Sequence, residues 1–175
     1  TSAPTGHPSE WLGLSALYHD TGGVGNYWTS RDNWMSYPFA CRDESVACLG
    51  PGSTETDSAC WYGVICHRGR VVGLDLAENN LRNFLPTEIG YIASLNGTLD
   101  LSKNSLTWSL PSEIGSFGGL KDAFDVSNNT IEGALPSEVG YFSMLRQYLE
   151  RAMVHIANLA ADLFLVLEVL LWSTR

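Results

Sequence analysis

Positive charge is the first thing this chain lacks. Of its 175 residues only 10 are Lys or Arg, against 19 Asp or Glu, for a formal net charge of −9. Nucleic-acid binding needs clustered cations to displace counterions from phosphates, and ten scattered ones supply no cluster. The same shortage excludes docking on anionic lipid by charge alone. Recognisable catalytic sets are also missing. His7, His19, His67 and His155 are scattered, and neither GxSxG nor HExxH occurs. The Gly22-Gly23-Val24-Gly25 run has no strand ahead of it and no Lys-Ser or Lys-Thr behind it, so it is not a phosphate loop. The chain shows no signal peptide. It opens on a polar TSAPTGHPSE stretch, as a trimmed product would, so secretion remains open.

Cysteine is sparse and confined. Cys41, Cys48, Cys60 and Cys66 all fall in one loop-rich segment. Four such cysteines read as two disulfides with three connectivities, and hence an oxidising compartment. The rival is a Cys₄ zinc site with His67 as a spare ligand, which lacks the short CxxC spacings such sites use.

What the chain does have is repetition. VVGLDLAENNLRNFLPTEIGYIASL, NGTLDLSKNSLTWSLPSEIGSFGGL and KDAFDVSNNTIEGALPSEVGYFSML follow one another from Val71 to Leu145. Pro86, Pro111 and Pro136 are spaced by 25, as are Asn79, Asn104 and Asn129, and Gly90, Gly115 and Gly140. A fixed period of this length with an LxLxxNxL core predicts one structural coil per repeat. Leu74-Asp75-Leu76, Leu99-Asp100-Leu101 and Phe124-Asp125-Val126 alternate apolar and polar, as short half-buried strands do. Strands one repeat apart predict a parallel sheet. The Asn column follows each strand, where its side chains can bond backbone groups of their own and the next coil. Ile89/Ile92/Leu95 and their equivalents recur at threes, which suits a 3₁₀ or short helical back side.

These repeats resemble the plant-type extracellular leucine-rich repeat family, on the residues LDLAENNLRNFLPTEIG, LDLSKNSLTWSLPSEIG and FDVSNNTIEGALPSEVG. Each repeat is one residue longer than is usual there, the extra residue lying between Leu95 and Leu99 and again between Leu120 and Phe124. The stretch ALYHDTGGVGNYWTSRDNWMS, followed by Cys60-Trp61-Tyr62-Gly63-Val64-Ile65-Cys66 and then RVVGLDL, resembles the family's N-terminal cap. Pairing of Cys60 with Cys66, leaving Cys41 with Cys48, is what that resemblance implies. A cap is also a physical requirement, because an open coil end exposes apolar side chains and an unpaired strand.

The resulting expectation is an α/β chain: a right-handed leucine-rich repeat solenoid with a short parallel β-sheet. Residues 1–70 form a helical, doubly disulfide-bonded cap, 71–148 three repeats, and 149–175 a hydrophobic C-terminal helix. The cap helix opens near Ser9-Glu10, buries Trp11, Leu14, Ala16 and Leu17 or Tyr18, and ends at Thr21-Gly22-Gly23. The aromatic patch Tyr27, Trp28, Trp34 and Tyr37 reads as cap core, with a carbohydrate platform as the functional alternative.

The C-terminal stretch breaks the repeat and carries no Gly or Pro, which favours a helix. Its run Leu163–Trp172 spans about 15 Å as a helix, against about 30 Å of bilayer hydrocarbon. Asp162 and Glu168 offset the apolar gain of a longer segment. A cap over the last coil, a partner-docking helix and a membrane segment are the three main readings of residues 150–175; a degenerate coil is the fourth, since Ile156, Leu159, Leu163 and Leu165 echo the spacing of Ile92, Leu95, Leu99 and Leu101.

Asp75, Asp100 and Asp125 would stack about 5 Å apart on the solvent side of the sheet. With Glu78, Lys103 and Asn128 they form the candidate ligand-binding face, suited to a basic or polyhydroxylated ligand. The alternative is ordinary hydrated family wording. Glu88, Glu113 and Glu138 form a second, solvated acidic column. Sequons at Asn96 and Asn128 are candidate glycosylation sites. No cofactor or metal is implied. The function expected is a non-catalytic binding module for a protein or peptide partner, secreted or in an oxidising lumen. The alternatives are a structural subunit held in a membrane assembly by its tail, and a fragment of a receptor ectodomain.

Overall fold

The parallel sheet predicted from the 25-residue step organises the structure, a computed structural model that describes residues 8–35, 40–41, 48 and 60–141. Strands β1 (Val64–His67), β2 (Arg70–Asp75), β4 (Thr98–Asp100) and β6 (Ala123–Asp125) lie side by side in that order. β1 pairs antiparallel with β2 as a hairpin, and β2, β4 and β6 run parallel. The register sets Leu74 beside Leu99 beside Phe124, and Asp75 beside Asp100 beside Asp125. Three turns of chain are thus stacked one repeat apart. The back of each is a 3₁₀ helix: η1 (Thr87–Tyr91), η2 (Ser112–Phe117) and η3 (Ser137–Tyr141).

A second, three-stranded parallel sheet runs beside the first. It consists of β3 (Arg82–Asn83), β5 (Ser105–Trp108) and β7 (Thr130–Ile131). The repeat pattern did not announce it, because two of its strands are two residues long and the third four, too short for an alternation to be read.

Between these faces the periodic apolar side chains interdigitate. Leu74, Leu76, Leu81, Ile89, Ile92 and Leu95 of the first coil are wholly buried, as are Leu99, Leu101, Leu106, Ile114, Phe117 and Leu120 of the second. Ile131, Leu135 and Val139 of the third are only partly covered.

The glycine of LPxE[IV]G has a packing reason. A Cβ on Gly90 would sit 2.9 Å from Glu113 Cβ, and one on Gly115 would collide with Glu138 Cβ and lie 3.1 Å from the Glu138 carbonyl oxygen. Each glycine therefore lets the next coil's glutamate pass over it. Gly115→Ala must push backbone apart and is expected to destabilise the fold by about 1–3 kcal/mol. A thermal melt checks this; an unchanged midpoint would mean the coils are not seated as closely as described.

The cap seals the front. Helix α1 (Pro8–Asp20) starts on proline, which loses nothing at a first helical position. It buries Glu10, Gly13, Leu14, Leu17 and Tyr18, while Trp11 and Ala16 are only half-buried, so the buried stripe is shifted from the one expected. Gly13 is required for contact: a Cβ there would lie 2.8 Å from both the Glu88 carbonyl oxygen and Ile92 Cγ1. The helix ends where expected, with Thr21 Oγ1 donating to the Leu17 carbonyl at 2.6 Å and Gly22 at φ +91°.

Behind α1, Trp28 and Trp34 of the expected aromatic patch form the cap core with Tyr18 and Trp61, whereas Tyr27 is half-exposed and lies outside it. Tyr18 stacks on Trp34 at 5.6 Å, Trp28 meets Trp34 edge-on at 4.8 Å, and Trp34 meets Trp61 at 5.0 Å. Trp28 and Trp34 are buried, so they cannot serve as a carbohydrate platform. Tyr37 lies outside the described residues.

The disulfide pairing differs from expectation. Cys41 bonds Cys66 and Cys48 bonds Cys60, in place of Cys60–Cys66 and Cys41–Cys48. β1 accounts for the difference. Cys66 is the third residue of an extended strand that leads away from the turn at Trp61–Gly63, so Cys60 and Cys66 would meet only if that strand doubled back. Instead the Cys66 amide donates to the Cys48 carbonyl at 2.9 Å, placing Cys48 beside β1. With all four thiols consumed in bridges, the zinc reading loses its ligands.

Candidate recognition face

The column of asparagines builds the strand-end turns from which the exposed face projects. Asn104 Nδ2 donates to the carbonyls of Leu76, Leu101 and Ser102, and its Oδ1 accepts from the amides of Asn79 and Leu81. Asn129 repeats this one coil on, donating to Leu101, Val126 and Ser127 and accepting from Leu106. The cross-coil bonds reach back to the preceding coil, where the sequence reading pointed them forward. Asn79 has no preceding coil and reaches the cap: its Nδ2 donates to the Ser30 carbonyl at 2.9 Å and its Oδ1 accepts from the Ser30 amide at 2.6 Å.

Asp75, Asp100 and Asp125 lie in register across β2, β4 and β6. Each folds back on its own turn. Asp100 Oδ1 accepts from the Ser102 amide at 2.9 Å, Asp125 Oδ1 from Ser127 at 2.8 Å, and Asp75 more weakly from Ala77 at 3.5 Å. These turns use one carboxylate oxygen apiece and help hold a row of like charges together. Burial pushes the Asp75 carboxyl above its ordinary value, the Ala77 amide pulls it back, and the Asp100 charge adds to the rise.

A raised carboxyl has a signed consequence. The folded state binds the Asp75 proton more tightly than the unfolded chain, so ionisation of Asp75 weakens the fold. Asp75→Asn keeps the acceptor for Ala77 and removes the charge. Its expected effect is a higher melting midpoint at neutral pH. The gain should be complete above the raised folded pKa and absent below the ordinary value of 3.8. A gain that persisted unchanged into acid would assign it to something other than this charge.

Glu78, Lys103 and Asn128 form the neighbouring exposed column. All three adopt left-handed backbone, at φ 54°, 54° and 53°. The amides of Glu78 and Lys103 donate to the Ser102 and Ser127 carbonyls, which carries the ladder outward. Lys103 Nζ pairs with Glu78 Oε1 across one coil boundary. That hydrogen bond, then the Glu78 charge, raises the Lys103 pKa, with the Asp100 and Asp125 charges adding to it. Asn128 Nδ2 donates to Ser127 Oγ. The face thus offers carboxylate oxygens, one ammonium and one amide on a rigid strand scaffold. It presents no nucleophile–base pair.

On the back, Glu88, Glu113 and Glu138 accept from the hydroxyls of Thr87, Ser112 and Ser137. Asn96 and Asn128 of the two sequons are both exposed. The C-terminal segment 149–175 lies outside the described residues. Among those described, no helix is long and apolar enough to cross a membrane, and no group of His, Cys, Asp and Glu could hold a metal ion.

Two features escaped the sequence reading. Glu10 is buried, where its carboxylate takes Arg70 Nε at 2.6 Å, the Val71 amide at 3.2 Å and Ser94 Oγ at 2.5 Å. It pins the helix to the first coil, and a helix-start acid carries no sign of partners 60 residues away. The second is Trp108, which is 71% exposed and at φ 65°. Its counterparts one coil either side are Asn83 at φ 65° and Gly133 at φ 86°, residues suited to left-handed backbone. That column was legible in the repeat alignment.

The Leucine Rich Repeat family model matches residues 98–117. A search of curated proteins found no match. Among solved structures, a chain in the crystal structure of the BIR3–SERK2 complex from Arabidopsis thaliana is 26% identical with a TM-score of 0.50, over 82% of this chain and 65% of that one. A chain in the crystal structure of PEPR1–AtPEP1 is 22% identical with a TM-score of 0.55, over 85% of this chain and 17% of that one. This chain therefore spans less than two thirds of either neighbour. Its 25-residue repeat, the family-model match over residues 98–117 and the likeness to these two solved chains give it the leucine-rich repeat fold, and its disulfide-bridged front fits an N-terminal cap of that fold.

Proposed function

We propose that this chain is a non-catalytic recognition module that binds a protein or peptide partner on its strand face. In this reading it is a right-handed solenoid, capped through residue 70, repeating over 71–148, with its tail beginning at 149. Asp75, Asp100, Asp125, Glu78, Lys103 and Asn128 make the contacts. The observation that carries the proposal is the in-register row of half-buried carboxylates beside the exposed Glu78–Lys103 pair. Rigid strands hold these groups at a fixed spacing, so recognition costs little ordering of the receptor. An exposed pair of this kind contributes little to stability, which leaves both charges free to exchange partners. The likeness to a chain crystallised in a protein–protein complex supports a protein partner. The two disulfides support an oxidising, extracellular setting. Exposed Asn96 is the better placed of the two sequons for a glycan.

The test is selection of a random peptide library on the intact chain. Binders to this face should weaken about tenfold or more with Asp100→Lys and again with Lys103→Glu. Selected peptides indifferent to both charge reversals would remove the strand face from the account.

A further inference from the structure

A second surface stands apart from the strand face. Trp108 ends β5 with its indole exposed, on backbone that its counterparts Asn83 and Gly133 occupy without strain. Burial does not compensate it. A bulky residue held in that conformation yet open to solvent calls for a use outside the fold.

Its surroundings suggest one. The register that sets Asn83 beside Leu106 brings the exposed Phe84 alongside the Thr107–Trp108 end of β5. Two residues before Phe84 on the same extended segment, exposed Arg82 lies over the half-exposed Tyr27 ring at 4.5 Å from its centroid. Arg82 Nε reaches only Asn80 Oδ1, at 3.4 Å, and the two ion pairs among the described residues do not include it. In a chain of net charge −9, this cation has no carboxylate partner among the described residues; it lies over one exposed aromatic ring, while the exposed Phe84 directly follows β3 and the exposed Trp108 ends β5 of the same sheet. Trp, Tyr and Arg are the side chains that dominate interface energetics. At the far side, exposed Glu132 donates its amide to the Trp108 carbonyl, so the patch is polarised from Arg82 to Glu132.

We propose that the outer face of the second sheet docks an extended peptide segment of a protein partner. Apolar side chains of that segment pack on Trp108 and Phe84, and a carboxylate faces Arg82, away from Glu132. This surface is independent of the strand face, and each can fail without the other.

The test uses synthetic peptides with Asp or Glu next to Leu or Phe, matched peptides with Lys in place of the acid, and a glycan array, all read on the intact chain. The acidic peptides should bind and the Lys peptides should not. Trp108→Asn and Arg82→Gln should each weaken binding about tenfold or more. Lys103→Glu should leave it unchanged. Trp108→Asn should melt no lower than the parent, since Asn83 holds the same backbone one coil earlier. Equal binding of acidic and Lys peptides, binding of glycans in place of peptides, or a lower melt for Trp108→Asn would overturn the proposal.

Discussion

Leu101→Asp is expected to abolish the cooperative melt. Leu101 has no solvent exposure and sits in the middle strand column, between Leu76 and Val126. Its carbonyl accepts from the side chains of both Asn104 and Asn129, and its amide donates to the Asp125 carbonyl, so the backbone there cannot swing outward to hydrate a new carboxylate. Losing a buried leucine costs about 2–5 kcal/mol. An unpaired buried carboxyl adds several more, whether it is ionised or forced to stay protonated. Domains of this size are stable by about 5–15 kcal/mol, so the sum reaches the whole of that margin. Circular dichroism followed through a thermal scan reads the result. A cooperative transition within a few degrees of the parent would mean that this column does not face the core.

Asn104→Ala should cost about 3–5 kcal/mol, more than an ordinary polar truncation. The side chain serves three carbonyls and two amides. The Leu101 carbonyl keeps Asn129, but the Asn79 and Leu81 amides and the Leu76 carbonyl lose these bonds. Each buried group left unmatched costs about 1–3 kcal/mol. The melting midpoint should fall by about 10 °C or more. Lys121→Ala, on an exposed side chain, is the reference and should shift it by no more than about 2 °C. Comparable midpoints for the two variants would show that solvent satisfies these groups as well as asparagine does.

The repeat was readable because its constraints are periodic. Leu76, Leu101 and Val126 announce a strand face, and Asn79, Asn104 and Asn129 announce the turn after it, each confirming the other at one fixed spacing. The cap was harder, because its contacts occur once. Glu10 meets Arg70 across 60 residues of chain, and nothing local to either marks the pairing. The cysteines show how a count without geometry falls short. Two bridges were legible, but the choice among three connectivities depended on the path of β1, which four residues of sequence do not specify. The candidate face was half visible. The Asp column was evident from LDL and FDV, whereas its partial use in closing turns, and the Glu78–Lys103 link, emerged only with the backbone. Trp108 was visible all along as the odd member of an Asn, Trp, Gly column.

The junction at Ser30 has a consequence for how such a chain can change length. Ser30 offers Asn79 one amide and one carbonyl, and Asn104 in turn draws the same two kinds of group from the coil ahead of it. At this junction the first winding meets the front end through the same kinds of group that one winding offers the next. Whole units of twenty-five residues can be inserted or excised between Asn79 and Asn129 without redesigning either neighbour. The length of the strand face would then change in discrete steps, while the sulfur bridges and tryptophan packing at the entrance stay as they are.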